Sequence, residues 1–120
     1  MLSLAPNARI WVCTTPADMR KSFDGLCGLI RTGLGSDPLS GELFVFGNRT
    51  GDRVKILHFE GDGLAIYYKR LEAGRFHFPT AADGSPVTLR AADLLMLLDG
   101  VDLASVRRRR RYHRPQPEPA

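Results

Sequence analysis

The sequence predicts an α+β domain: an antiparallel β-meander packed against one amphipathic helix, with a second short helix near the C-terminus. Three features carry that prediction. Over residues 42–79, four short runs rich in β-branched and aromatic residues are separated by compact Gly, Asn and Asp turns at 48–52, 61–63 and 72–74, the pattern of consecutive hairpins. Ahead of them, Met19, Phe23, Leu26 and Ile30 recur at steps of four, three and four, tracing one helical face that needs a sheet to cover it. Behind them, Leu94, Leu95, Met96, Leu97 and Leu98 are apolar around nearly the whole circumference of a helix. Such a helix is buried on more than one side or meets a partner chain.

Taken in order, residues 1–7 carry little pattern, and residues 9–14, with Ile10, Val12 and the sole Trp11, read as a first strand. Thr15 as N-cap, Pro16 at the first helical position and Asp18 three places after the cap then predict a helix over residues 16–34. Gly25 and Gly28 weaken that helix by about 1 kcal/mol each relative to Ala, so tertiary packing must hold it, and they leave room for a strand or another chain to come close. Phe23 falls on its apolar face, where truncation to Ala would cost about 3 to 5 kcal/mol. Residues 33–41 hold a breaker cluster of Gly, Ser, Asp and Pro.

In the meander, Leu43 and Val45 point to one side and Phe44 and Phe46 to the other, so this strand needs cover on both faces and is placed centrally. Val54 and Ile56 share a face with His58 and Glu60, whereas Leu57 and Phe59 share theirs with Lys55. The next run sets Leu64, Ile66 and Tyr68 against Ala65, Tyr67 and Lys69, and residues 75–79 form the fourth run. A polar connection follows at 80–86, and Thr88 reads as the cap of a helix over residues 89–98.

At 120 residues and 43% hydrophobic content, the chain has the size of one domain with one modest core. No run approaches the ~20 apolar residues of a membrane helix, and the N-terminus lacks a secretory pattern; a soluble cytoplasmic protein is expected. Cys13 and Cys27 form no Cys-x-x-Cys and have no nearby His pair, which points to buried free thiols and away from zinc or a disulfide framework. Charge is placed unevenly. Residues 107–120 hold six Arg against one Glu, a net +5, while residues 1–106 hold 11 Lys and Arg against 12 Asp and Glu, a net −1. Like charges and alternating Pro make residues 107–120 a basic tail that is disordered when free, outside a domain of residues 1–106.

Several spaced blocks, taken together, resemble the accessory protein encoded by the second open reading frame of insertion-sequence-66 type transposons. They are Ile10-Trp11-Val12, residues 15–26 from Thr15-Pro16-Ala17-Asp18 to Gly25-Leu26, residues 43–49 and 52–57, Gly61-Asp62-Gly63-Leu64, residues 68–72, Gly74-Arg75-Phe76 and residues 98–102. The resemblance spans roughly residues 8–103, and blocks in a fixed order are more specific than any one short motif. It implies a role in transposition beside a separate, larger transposase that cleaves the strands, and it does not imply a catalytic activity here. The partners expected are transposon DNA, the transposase or other proteins of the same element, and a second copy of the chain.

The candidate DNA-binding residues lie in two groups. Arg107, Arg108, Arg109, Arg110, Arg111 and Arg114 can neutralise several phosphates and release counterions, with Tyr112 or His113 stacking on an exposed base; the competing reading is a solvated tail. Arg49 and Arg53 flank one hairpin turn, and Lys69, Arg70 and Arg75 flank another, so both turns can present cations to a backbone. Arg20, Lys21, Arg31 and Lys55 extend this second surface, and ordinary pairing with Asp18, Asp24, Asp52, Glu60 and Glu72 competes with it.

His58, Glu60 and Asp62 alternate as a divalent metal site for a small nuclease acting on transposon DNA would require. Gly61 and Gly63, however, imply a turn that breaks the alignment. Tyr67 and Tyr68 read as sheet packing plus one surface ring, and Gly61-Asp62-Gly63 lacks the Lys-Ser/Thr of a phosphate loop, so no cofactor is expected. A non-catalytic accessory protein is the reading carried forward, with the metal-dependent nuclease and a pure protein-binding adaptor as alternatives.

The charge arithmetic makes a measurable claim. Deleting residues 107–120 should leave the melting temperature nearly unchanged while removing most sequence-independent DNA affinity. With about five phosphates contacted, log affinity against log salt should have a slope near −4 to −5 on duplex, flattened by the truncation. Binding isotherms at several salt concentrations for both proteins decide it; equal slopes would assign DNA binding to the body.

Overall fold

The computed structural model describes Leu4 and residues 6–101. The basic tail, with Arg107–Arg111 and Arg114, lies outside the described residues. Five strands and two helices follow in the order β1 (Ile10–Cys13), α1 (Phe23–Leu29), β2 (Leu43–Gly47), β3 (Arg53–Phe59), β4 (Leu64–Arg70), β5 (Val87–Leu89) and α2 (Ala91–Leu98). The strands form one sheet in the order β4-β3-β2-β1-β5. β2, β3 and β4 make the expected antiparallel meander. β1 joins it in parallel, with Ile10 opposite Leu43 and Cys13 opposite Phe46, so the sheet is mixed. A parallel neighbour requires a crossover, and the α1 segment supplies it.

All five residues of β2 are buried, and its two sets of side chains enter two separate cores. Leu43 and Val45 join Ile10, Val12, Val54, Ile56, Leu94 and Leu97 under α2. Phe44 and Phe46 join Leu26, Cys27, Ile30 and Leu57 under α1. The central strand therefore has a helix on each face, as its unbroken apolar run requires.

Several expectations are corrected. The helix begins at Phe23, not at Pro16. Ala17 donates its N–H to the Gly47 carbonyl at 2.8 Å, which holds the chain against the end of β2. Asp18 accepts the Arg20 N–H at 2.9 Å, and the Lys21 N–H reaches the Asp18 carbonyl at 3.0 Å; a side chain bonding its own local backbone competes with helix formation. Past Leu29 the helix widens into a π-helical turn, Ile30–Leu34, closed by Gly35 at φ 63°, a left-handed position that Gly occupies without strain. The late start makes Phe23 the first residue of the helix, where it is 42% exposed, whereas Leu26 and Ile30 are fully buried. At Gly25 the close neighbour is the Lys21 side chain, 3.0 Å from where a Cβ would sit, and not a strand.

The fourth run of the meander, residues 75–79, is not a strand. The Phe76 N–H is taken by the Gly51 carbonyl at 2.7 Å, which directs the segment across the end of the sheet. Its alternation still has a use: Phe76 is buried in the α2-side core, with Phe78 packed beside it at 5.7 Å between ring centroids. Phe78 lies over Gly47, where a Cβ would meet the ring at 2.5 Å. Lastly, Thr88 is not a helix cap but the middle of β5, which pairs antiparallel with β1. The α2 helix starts after Arg90, whose N–H donates to the Asp93 carboxylate at 3.2 Å. Leu94 and Leu97 are buried and Leu95 is exposed, so α2 faces the core on one side. Among the described residues no helix is long and apolar enough to cross a membrane.

The exposure of Phe23 at the start of α1 has a direct consequence for stability. Leu26→Ala should cost about 2 to 5 kcal/mol, as a buried large-to-small change does, while Phe23→Ala should cost about 1 kcal/mol or less. Urea denaturation of the two variants tests the orientation, and the reverse ranking would overturn it.

Candidate nucleic-acid interface

The β2–β3 turn is built around one side chain. Asn48 accepts the Gly51 and Arg53 N–H groups on Oδ1 at 2.9 and 3.1 Å, and its Nδ2 donates to Thr50 Oγ1 at 3.0 Å and to Asp52 Oδ1 at 2.7 Å. The Thr50 hydroxyl donates to the same Asp52 oxygen at 2.8 Å. These hydrogen bonds from Asn48 and Thr50 hold the Asp52 carboxyl below its ordinary range, because donors aimed at a carboxylate favour its charged form. Backbone bonds then fasten a second segment to this turn: the Leu71 N–H to the Asp52 carbonyl at 2.8 Å, and the Phe76 N–H to the Gly51 carbonyl. Arg75 lies alongside, its Cβ 3.4 Å from the position of a Gly51 Cβ.

The two sets of cations that the sequence places on separate turns thus meet at one end of the sheet. Arg49 is exposed at the tip with Arg75 beside the same turn, while Arg53 and Arg70 stand directly opposite one another on β3 and β4. Lys69 points to the other face, where its ammonium donates to the Leu98 carbonyl at 3.3 Å, satisfying an orphan acceptor at the end of α2. Arg20 is paired with Asp18 at 2.8 Å and Arg70 with Glu72 at 3.2 Å. Among the described residues, Arg49, Arg53, Lys55 and Arg75 form no ion pair. Asp52, which could have neutralised them, is committed to Asn48 and Thr50. Arg31 sits in the π-helical turn after α1.

Lys55 is the residue whose role only the register reveals. Its side chain is nearly buried, 7% exposed, with the ammonium donating to the Lys21 carbonyl at 2.7 Å and lying 4.6 Å from the centre of the Tyr68 ring. Alternation along β3 predicts its face. Its partner follows only from the pairing of Lys55 with Tyr68. Tyr67 packs inward and Tyr68 is the surface ring, 48% exposed.

The nuclease constellation does not assemble. β3 ends at Phe59, the Glu60 N–H closes onto the Gly63 carbonyl at 2.8 Å, and Asp62 therefore lies in a turn away from the strand face of His58. Among the described residues no three His, Cys, Asp or Glu side chains converge on a metal-sized site. A cleft of about 240 Å³, unforeseen from the sequence, opens at the carboxyl ends of β1 and β2 between Cys13, Pro16, Leu34, Phe46 and Pro86. Its walls are largely apolar, and burial pushes the Cys13 thiol up to about 11, leaving it protonated and unreactive at neutral pH.

Comparison with known families decides the identity of this scaffold. The profile of the family described as IS66 Orf2 like protein matches residues 8–108. The chain belongs to that family. It is 38% identical over 102 residues to the uncharacterized protein y4hO of Sinorhizobium fredii, covering 85% of this chain and 88% of the relative. It is 33% identical over 109 residues to y4jC of the same organism, covering 91% and 92%. No solved structure matches the chain significantly. Membership in the IS66 Orf2 like family associates the protein with transposition in an accessory role, and the basic sheet end lies within the matched residues.

The Asn48 network predicts how this end responds to mutation and pH. Asn48→Ala should lower stability by about 1 to 2 kcal/mol and speed hydrogen exchange at the Gly51 and Arg53 amides. Because Asp52 has a lowered folded value, its contribution is complete above about pH 4 and is lost as pH falls through that lowered value. The stability gap between wild type and Asn48→Ala should therefore narrow on acidification, as read from denaturant midpoints at pH 7 and pH 3; a constant gap would remove Asp52 from the network.

Proposed function

We propose that this protein is a non-catalytic accessory protein of DNA transposition that holds DNA of its element through the basic end of the sheet, beside a separate transposase. The observation that carries the reading is the direct opposition of Arg53 and Arg70 across β3 and β4. Like charges placed opposite one another weaken a sheet, and only Arg70 has a carboxylate partner. Such a pairing is explained by an anionic ligand that neutralises it, and phosphate is the ligand that planar guanidiniums suit best. Arg49 and Arg75 extend the same end, and the Arg107–Arg111 run with Arg114 adds a second, sequence-independent contact. Backbone contacts of this kind position a protein on DNA without reading bases, as suits a factor that leaves cleavage to another enzyme.

Replacing Arg53 and Arg70 together by Ala should weaken binding to duplex and single-stranded forms of the element's terminal DNA across sequences. It should also flatten the log affinity against log salt slope by about two, one for each phosphate no longer neutralised. Fluorescence anisotropy at several salt concentrations, with melting temperature as the folding control, supplies the measurement. Unchanged affinity and slope in a folded double variant would remove this end of the sheet from the DNA interface.

A further inference from the structure

We infer that Tyr68 is a stacking platform for an unpaired base, so that the basic sheet end takes single-stranded DNA in preference to duplex; this rests on the DNA-binding function proposed for that end and specifies its substrate. Tyr68 lies on β4 at the edge of the sheet with its ring 48% exposed. The ring is held from within the protein: the Lys55 ammonium lies 4.6 Å from its centre, itself fixed at 2.7 Å by the Lys21 carbonyl, and its hydroxyl is 3.4 Å from Arg53 Nη1. A ring restrained in this way loses little conformational freedom when a base settles on its open side. Arg53 and Arg70 stand on the same sheet face, two residues further along the strand pair, where they can take phosphates of the strand whose base stacks on the ring.

An aromatic ring beside backbone-binding cations is the arrangement by which single strands are held without sequence preference. Duplex DNA offers the same phosphates, but its bases are already stacked on one another and present only their edges in the grooves. The ring therefore contributes to single-strand affinity alone. Besides Tyr68, Phe23 is a second large aromatic left exposed among the described residues. It is 42% exposed and follows two residues after Lys21, whose carbonyl anchors the Lys55 ammonium. The stacking role extends to Phe23 as a second surface for a strand leaving Tyr68.

The test compares a fluorescent oligonucleotide with the same sequence annealed to its complement, using the full chain and the variants Tyr68→Ala, Tyr68→Phe and Tyr68→Ala with Phe23→Ala. Single-strand affinity should fall about fivefold to a hundredfold in Tyr68→Ala, the range for loss of one stacked base. It should fall further in the double variant and stay near wild type in Tyr68→Phe, which keeps the ring and loses only the hydroxyl. Duplex affinity should change less than twofold in all three. Loss of single-strand affinity in Tyr68→Phe equal to that in Tyr68→Ala would overturn the stacking role. Equal, Tyr68-independent binding of both DNA forms would overturn the single-strand preference while leaving DNA binding in place. Absence of binding to either form would overturn the DNA-binding function itself.

Discussion

β2 has no face that water can reach. A five-residue strand buried at every position requires apolar cover above and below, and the remaining architecture supplies it: α1 with its π-helical turn on one side, and α2 with Phe76 and Phe78 on the other. Because both faces of the sheet centre are closed, polar groups are confined to the strand ends and the β4 edge. There the two ends differ in their balance of charge, with Arg9 outnumbered at one and Asp52 and Glu72 outnumbered at the other. Glu42, Glu60 and Asp62 lie where β2 and β4 begin and β3 ends, whereas Arg49, Arg53, Arg70 and Arg75 gather where β2 ends and β3 begins. A body with a net charge of −1 over residues 1–106 can in this way carry a strongly basic end, since the field at a surface follows local placement and not the total.

Hydrogen bonding fixes that end without neutralising it. Asn48 uses all four of its bonding positions inside the turn, and Asp52 is drawn into the same network. The one carboxylate within the turn is thereby occupied by neutral donors, and the adjacent guanidiniums are left available. The same cations sit beside an edge strand, where charge also discourages pairing with the edge of another sheet. One placement thus leaves the guanidiniums available and guards the sheet edge.

Lys55 joins the two layers on the α1 side. Its ammonium takes the Lys21 carbonyl, a group that a helix starting at Pro16 would have turned inward to its own ladder. The delayed start of α1, after the Asp18 turn, leaves that carbonyl outside the helix and able to accept from the ammonium. Burying an ammonium is costly unless it is hydrogen-bonded, and the site answers with one short bond and one aromatic face.

Much of the fold was legible in the residue pattern. Alternation in β2, β3 and β4 assigned the correct sides to Leu43, Val45, Phe44 and Phe46, placed β2 centrally and separated Tyr67 from Tyr68, because strand periodicity is a local property that one stretch of chain determines by itself. The glycine and Asx turns gave the meander order for the same reason, and α2 was visible in its apolar run. Less was legible where two distant segments compete for one backbone group. Thr15, Pro16 and Asp18 form a sound helix start in isolation, yet the Gly47 carbonyl captures Ala17 and Asp18 captures Arg20. Residues 75–79 have strand composition, yet Gly51 takes the Phe76 N–H. The candidate site divides along the same line. The sequence by itself determined which residues are cationic and which turns carry them; only the tertiary structure decided that Arg53 faces Arg70, that Lys69 serves α2 and that Lys55 lies against Tyr68, because register and the docking of one loop on another depend on contacts between residues far apart in the chain.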